Sequence, residues 1–230
     1  MAHACAAAGV SLTVYVPERA PKAKIDAIRE LGADLRPRRD YDEAEQRARD
    51  DGRAGGGVYI SPYAHPDVIA GAGTVGIEIL EDDSSVDTIV ASIGGGGLIS
   101  GIGIAAAGRA VMGAEVEAST PFTSSLAAGR LVEIDVRDSL ADGLTGNLDP
   151  DSPTLDLVRT HVGRIAVISE EELRTAVRAV FERERLVIEG AAAAAVAAVS
   201  TGKLPVRGRR VAIVLSGANI DAGKFVPLIQ

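Results

Sequence analysis

The chain has 230 residues, enough to bury a sizeable core, and a formal net charge of −8. This acidic balance argues against nucleic acid or an anionic membrane as the main partner, because both need clustered Lys and Arg. The single cysteine, Cys5, allows no internal disulfide, and no apolar stretch reaches the ~20 residues that a membrane-spanning helix needs. We therefore expect a soluble, cytoplasmic protein with no secretion signal at Met1.

Strand-like and helix-like segments alternate along the chain, which predicts an α/β fold of parallel sheets covered by helices. In the first part we expect strands over 12–16, 33–35 and 58–60, and helices over 21–31 and 41–50. The loop over residues 61–66 interrupts this series, and the later segments are longer and more apolar. We place a domain boundary there, with an incomplete small, mobile domain over 1–64 and a large domain over 65–230.

The second part contains the clearest local signals. We expect helices over 66–80 and 98–109, with a buried strand over 86–93 between them, and a further strand over 211–215. Ser169 and Glu172 have the spacing of a capping box and precede a helical apolar stripe. The alanine-rich run over 191–198 predicts a tightly packed helix.

Four consecutive glycines, Gly94 to Gly97, separate the apolar strand from the helix that follows. Glycine permits positive φ and a close approach of backbone N–H groups to an anion, and a helix N-terminus adds unpaired donors. Each charge-assisted hydrogen bond contributes about 1.5–3 kcal/mol, so three or four would hold a phosphate without a lysine. The loop predicts a phosphorylated ligand or cofactor.

Three kinds of phosphate-binding site are compatible with such a loop before the rest of the chain is considered. The first, a P-loop for a nucleoside triphosphate, is excluded, because Leu98 stands where the motif requires a lysine. A dinucleotide site stays open, since Gly95, Gly97 and Gly101 are suitably spaced and Glu117 lies where a ribose-binding carboxylate is expected. The third kind is a site for pyridoxal phosphate.

Eight segments resemble, in order and spacing, the threonine/serine dehydratases of the fold type II pyridoxal-phosphate enzymes, a family that includes serine racemases. They are residues 13–18, 28–33, 59–63, 69–74, 94–97, 141–143, 187–192 and 215–219. The resemblance implies two open parallel-sheet domains, the larger of which binds pyridoxal phosphate. It also implies a small amino-acid substrate and a homodimer.

The resemblance assigns roles to eight residues. The N–H groups of Gly94, Gly95, Gly96, Gly97 and Leu98 would hold the cofactor phosphate, Ser216 would hydrogen-bond the pyridine nitrogen, Gly143 would pass close to the ring, and Glu189 would lie near its nitrogen edge. Two alternatives stay open. Ser216 at a strand end is equally typical of a cap, and Glu189 would favour the N-terminus of the alanine helix.

Members of this family bind the cofactor covalently through a lysine that precedes a Ser-x-Gly-Asn-His loop. This sequence has neither at a matching position, and its four lysines lie in surface-like settings without the burial or nearby cations that activate lysine: Lys22, Lys24, Lys203 and Lys224. We therefore assign no catalytic residue. We expect an enzyme truncated at its N-terminus, with Met1 inside the helix that follows the missing loop.

No metal site is predicted. Racemase-like members bind a divalent cation in a segment that aligns with residues 117–123, where Pro121 and Thr123 leave Glu117 alone. The expected activity of the intact enzyme is β-elimination of L-threonine or L-serine to a 2-oxo acid and ammonia. The alternatives are a non-catalytic binder of pyridoxal phosphate or another phosphate, an amino-acid racemase and, least favoured, an NAD-binding Rossmann protein.

Overall fold

A computed structural model describes residues 1–18, 20–106 and 108–230. By contacts between residues, the chain divides into two compact units. The first unit comprises Met1–Ser61 and Asn219–Lys224, and the second comprises Pro62–Ala218 and Phe225–Gln230. The assignment of a small, mobile domain over 1–64 and a large, cofactor-binding domain over 65–230 remains a prediction.

The first unit is a short α/β arrangement built on two parallel strands. Its elements are α1 (Ala2–Ala8), β1 (Thr13–Pro17), α2 (Lys22–Glu30), β2 (Asp34–Arg38) and α3 (Tyr41–Arg53). Strands β1 and β2 pair with Thr13 opposite Asp34. Helix α3 begins after Asp40, whose side chain accepts a hydrogen bond from Glu43 N–H at 2.8 Å, because that donor has no partner within the helix.

The prediction of a strand over residues 58–60 is wrong. Residues 58–60 are described and have no strand pairing, and the side chain of Val58 is 86% exposed. A strand needs a neighbouring strand to satisfy its backbone groups, and β1 and β2 pair with each other in a two-stranded sheet. The apolar pattern at 58–60 therefore does not decide its conformation.

The second unit carries a four-stranded sheet with helices around it. Its elements are α4 (Pro66–Asp82), β3 (Thr88–Ser92), α5 (Gly97–Ala105), β4 (Ala110–Val116), α6 (Pro121–Ala128), a 3₁₀ turn (Asp142–Leu144), α7 (Thr154–His161), β5 (Arg164–Ile168), α8 (Glu170–Glu184), α9 (Gly190–Ser200) and β6 (Val211–Ile213); α10 (Ala222–Ile229) follows. The strand order is β5-β4-β3-β6, and every pairing is parallel. The predicted α/β class is confirmed.

Strand β3 lies at the centre of the second unit. All five of its residues are buried, as expected for a parallel strand covered on both faces. Val90 lies opposite Met112 of β4 and Ile213 of β6, which fixes the register of the three strands. Ile89 and Ile93 join a buried cluster that includes Phe122 of α6, so the loop after β3 rests on the core.

Two helix predictions in this unit are confirmed. Helix α8 has the predicted capping box, in which Glu172 N–H donates to Ser169 Oγ at 3.3 Å and Ser169 N–H donates to the Glu172 carboxylate at 2.8 Å. The alanine-rich run forms α9, and residues 191–195 are at most 5% exposed. Small side chains let this helix pack closely against its neighbours.

Helix α5 is shorter than the predicted 98–109. It begins at Gly97 and ends at Ala105, and Ala107, inside the predicted range, lies outside the described residues. Within the described part of the chain, no helix combines the length and hydropathy needed to cross a membrane.

Candidate cofactor site

The glycine loop connects the end of β3 to the beginning of α5. Gly96 precedes the helix with φ of 84°, a left-handed conformation that glycine adopts without strain. The first hydrogen bond of α5 runs from Ser100 N–H to the Gly96 carbonyl at 3.0 Å. The N–H groups of residues 97–99 therefore have no acceptor within the helix, and no described residue elsewhere accepts from them. Such a helix N-terminus is suited to an anion.

The buried side of this loop rests on two aromatic residues. A Cβ built on Gly95 would lie 2.5 and 2.6 Å from two ring carbons of Tyr63, and one on Gly97 would lie 2.9 Å from the Tyr63 Cα. A Cβ on Gly96 would overlap the ring of Phe122. Real side chains do not tolerate such approaches, so these three positions require glycine. Gly94 and Gly95 are partly exposed, while Gly96 and Gly97 are buried.

Gly143 lies beside the loop, in the 3₁₀ turn. A Cβ built on Gly94 would lie 2.8 Å from the carbonyl oxygen of Gly143, and one on Gly143 would lie 3.3 Å from Cβ of Ala191. Gly143 is exposed. The structure therefore brings Gly143, the glycine loop and the first turn of α9 together, although Gly94 and Gly143 are far apart in sequence.

Ser216 and Glu189 lie next to each other through Gly217. Glu189 N–H donates to the Gly217 carbonyl at 3.1 Å, and a Cβ built on Gly217 would lie 2.8 Å from the Glu189 carboxyl carbon. Glu189 is the N-cap residue of α9, but its side chain makes no capping hydrogen bond. The capping alternative for Glu189 is therefore not observed. Ser216 is exposed, three residues beyond the end of β6.

The strand order places these groups at one edge of the sheet. Strands β3 and β6 are parallel neighbours, so the loop after Ser92 and the segment after Ile213 both leave the carboxyl edge. In open α/β sheets, ligands bind at that edge. The unpaired N–H groups fit a phosphate, and the exposed hydroxyl of Ser216 fits a hydrogen bond to a ring nitrogen. The residues present therefore fit pyridoxal phosphate.

Two of the four lysines, Lys203 and Lys22, make side-chain contacts with acidic residues. Lys203 Nζ donates to the Val167 carbonyl at 2.8 Å and to the Glu172 carboxylate at 2.6 Å. Lys22 pairs with Asp26, and its side chain is 83% exposed. Both are settings of surface charge, and the absence of a catalytic lysine from this sequence remains a prediction.

Sequence reasoning missed a buried carboxylate, Glu115. Its side chain is fully buried and accepts hydrogen bonds from Phe122 N–H at 2.8 Å and from Thr123 N–H at 2.9 Å. Burial raises the pKa of Glu115, and the hydrogen bonds from Thr123 and Phe122 oppose that rise. Glu117, on which the sequence argument concentrated, is exposed. In residues 1–18, 20–106 and 108–230, no group of three or more His, Cys, Asp or Glu side chains could hold a metal ion.

An apolar groove of about 520 Å³ lies between α4, α5 and α7. Ile69, Ile77, Ile104 and Leu157 contribute to its lining, and none of residues 94–98 does. The groove is therefore separate from the phosphate-binding edge of the sheet.

Comparisons with known proteins show the family to which the chain belongs. The sequence profile of a family described as pyridoxal-phosphate dependent enzyme matches residues 1–217. The chain is 38% identical over 227 residues to an L-threonine ammonia-lyase of Thermotoga maritima. The aligned region covers 96% of this chain and 56% of that protein. The chain thus spans little more than half the length of this curated relative.

Solved structures show the same fold. Maize serine racemase has a TM-score of 0.88 and 27% identity, over 96% of this chain and 70% of that one. The processed threonine deaminase isoform 2 of Solanum lycopersicum has a TM-score of 0.85 and 28% identity, over 99% of this chain and 69% of that one. The NAD-binding alternative receives no support from these matches. With the parallel sheets of fold type II and a profile match over most of its length, the chain belongs to the family of pyridoxal-phosphate-dependent enzymes.

Proposed function

We propose that this chain binds pyridoxal phosphate and, as part of an intact enzyme that supplies the lysine absent from this sequence, serves in the deamination of L-threonine or L-serine to a 2-oxo acid and ammonia. One observation carries the proposal: the open N-terminus of α5 and the Ser216 segment leave the same edge of the sheet. The likeness to an L-threonine ammonia-lyase and to a threonine deaminase supports the choice of substrate class.

The phosphate would be held by the backbone N–H groups of residues 94–98. Three of these residues, Gly95, Gly96 and Gly97, are fixed by packing on Tyr63 and Phe122, so the donors are ordered before the ligand arrives. The dipole of α5 adds a favourable term for negative charge at its N-terminus. Three such bonds at about 1.5–3 kcal/mol each would support tight binding without a lysine.

Bound pyridoxal phosphate supplies an electron sink for the negative charge that develops at the substrate α-carbon. Ser216 would donate a hydrogen bond to the pyridine nitrogen, and its neutral hydroxyl would leave that nitrogen largely unprotonated. A moderate electron sink suits loss of a β-hydroxyl better than reactions in which charge persists on the ring. Gly143, beside Gly94, would leave room for the ring.

Racemisation of an amino acid is the second candidate. It is supported by the TM-score of 0.88 to maize serine racemase. The two reactions begin with removal of the same α-proton, and they differ in whether a β-hydroxyl leaves. The cytoplasmic location and the homodimer expected from the sequence are also proposals, supported by the single cysteine and by the family resemblance.

A binding and turnover experiment tests the function. The purified chain is titrated with pyridoxine phosphate, which lacks the aldehyde and cannot form an imine with surface lysines. A separate titration with NAD tests the alternative dinucleotide site. We expect saturable binding of pyridoxine phosphate that inorganic phosphate displaces, and no binding of NAD. Failure to bind pyridoxine phosphate contradicts the proposal.

The reaction is measured separately, with pyridoxal phosphate added to the chain. Release of a 2-oxo acid and ammonia from L-threonine or L-serine supports deamination, and formation of the D-amino acid supports racemisation. Reversible cofactor binding with neither product is expected both of an enzyme part without its lysine and of the non-catalytic binder.

A further inference from the structure

We propose that Tyr63 is a positioning residue that holds the glycine loop in its phosphate-binding conformation. The inference rests on the proposed function of this loop as the phosphate site. Tyr63 precedes Gly95 by more than thirty residues and carries no donor that the phosphate requires, so nothing in the glycine motif itself points to it.

Tyr63 supports the loop through two different groups. The face of its ring lies across Gly95, since a Cβ on that residue would lie 2.5 and 2.6 Å from Cδ2 and Cδ1 of the ring. Its backbone lies against Gly97, where an added Cβ would be 2.9 Å from the Tyr63 Cα and closer still to its carbonyl oxygen. One residue therefore contacts both ends of the segment that turns from the strand into α5.

Tyr63 is itself held in place. Its side chain is 9% exposed, and its hydroxyl accepts a hydrogen bond from Asp149 N–H at 3.1 Å. The segment that carries Asp149 is fixed in turn, because the Asn147 side chain accepts from Ile134 N–H at 2.9 Å and donates to the Ile134 carbonyl at 3.2 Å. The ring is therefore anchored at both ends, on the loop and on a separate segment.

Ordering matters here because the loop is made of glycine. Glycine loses more backbone freedom on ordering than any other residue, and a site that must order itself on binding has a lower affinity than one ordered in advance. Packing on Tyr63 removes that freedom before the phosphate arrives. Loss of the ring should thus weaken phosphate binding without removing any group that touches the phosphate.

The test compares Tyr63→Leu and Tyr63→Phe with the parent chain, and Phe181→Leu serves as a matched control. Phe181 packs edge-on against Phe225 with ring centroids 5.4 Å apart, so its loss removes an aromatic ring of the same unit away from the loop. We expect Tyr63→Leu to weaken binding of pyridoxine phosphate and of inorganic phosphate about tenfold, comparable to losing one hydrogen bond to a charged group. Tyr63→Phe should bind both ligands about threefold more weakly than the parent, because it loses only a neutral hydrogen bond, which contributes less. Phe181→Leu should bind both ligands like the parent.

Amide hydrogen exchange gives a second readout that needs no ligand. The N–H of Ser100, which donates to the Gly96 carbonyl at the end of the loop, should exchange faster in Tyr63→Leu than in the parent, while exchange in β3 and α9 stays unchanged. Unchanged loop exchange and unchanged phosphate affinity overturn the proposal, and so does a loss of protection spread evenly over the unit. If the leucine variant does not fold, Tyr63→Phe decides by the same two measurements.

The two proposals fail in different ways. If the parent chain binds neither pyridoxine phosphate nor inorganic phosphate, the proposed function fails, while exchange at the Ser100 N–H still reports whether Tyr63 positions the loop. If the parent binds both ligands and Tyr63→Leu binds them equally well, only the role of Tyr63 fails.

Discussion

The carboxylate of Glu115, at 0% exposure, accepts a hydrogen bond from the backbone N–H of Phe122 at 2.8 Å. Through this bond the last part of β4 caps the beginning of α6. The ring of Phe122 in turn lies beneath Gly96, where an added Cβ would be 3.2 Å from its Cε1. A buried carboxylate is thus connected to the glycine loop through one aromatic side chain.

Replacing Glu115 should therefore cost stability. In Glu115→Ala the N–H groups of Phe122 and Thr123 and the Thr123 hydroxyl lose their acceptor. We expect a loss of about 2–4 kcal/mol in the free energy of unfolding, because buried donors without an acceptor are costly. Urea denaturation measures it. Glu117→Ala, two residues away and exposed, should change stability by less than about 0.5 kcal/mol. Equal effects of the two variants contradict the role of Glu115.

Gly96 should not accept a larger residue. Gly96→Ala places a Cβ in a left-handed conformation and against Phe122, so we expect lower stability and a loss of pyridoxine phosphate binding. Gly202→Ala is the matched control, because Gly202 has φ of 72° and open space around its Cα. Its backbone strain should cost about 1 kcal/mol while ligand affinity remains that of the parent. Weakened binding in both variants would show that general destabilisation, rather than the loop, is responsible.

Arg185 is the C-cap residue of α8 and has a φ of 59°. Among the described residues, it is the one residue other than glycine with a positive φ. Arg185→Gly should raise the free energy of unfolding by about 1 kcal/mol, because glycine adopts this conformation without strain. The same substitution at exposed Arg174, in the middle of α8, should lower it by about 1 kcal/mol. Thermal or urea unfolding compares the two. A destabilised Arg185→Gly variant would contradict this interpretation.

Glu172 should make part of the stability depend on pH. Burial would raise its pKa, but the Lys203 ammonium and the hydrogen bonds from Ser169 outweigh burial and lower the pKa of this carboxyl. A lowered pKa in the folded state stabilises the protein above the unfolded value of about 4.3, and that contribution is lost as pH falls toward the folded value.

Glu172→Gln tests this, since glutamine still serves in a capping box and only the charge is removed. We expect a loss of about 0.2–1 kcal/mol near neutral pH that declines as the pH falls below about 4.3 and is gone once the pH is below the pKa of Glu172 in the folded state. Glu171→Gln removes an exposed charge from the same turn and should lack the contribution from Lys203. A loss in Glu172→Gln that is independent of pH would show that the ion pair contributes nothing.

Part of the site was predictable because its signals are local. The capping box at Ser169 and Glu172 and the beginning of a helix at the end of the glycine run depend on residues within one turn of each other. A common location for the glycine loop, Gly143, Glu189 and Ser216 was expected only from the resemblance to a family. The roles of the eight predicted cofactor-binding residues remain predictions.

Other features depended on contacts that no local pattern encodes. Residues 58–60 have a strand-like sequence, but no described strand pairs with them, and Val58 is exposed. Glu115 and Glu117 are separated by one residue, and only the docking of α6 determines which carboxylate is buried. Spacing after the glycine run points to Glu117 and carries no information about the helix that packs above the strand.

The amino-acid sequence by itself determined the α/β class, the glycine loop at the beginning of α5 and the capping box of α8. These follow from backbone freedom and from hydrogen bonds between residues close in the chain. Only the tertiary structure decided the strand order β5-β4-β3-β6, the burial of Glu115 and the position of Tyr63 under Gly95. These depend on which distant segments pack together, because close packing allows each buried side chain only the space that its neighbours leave.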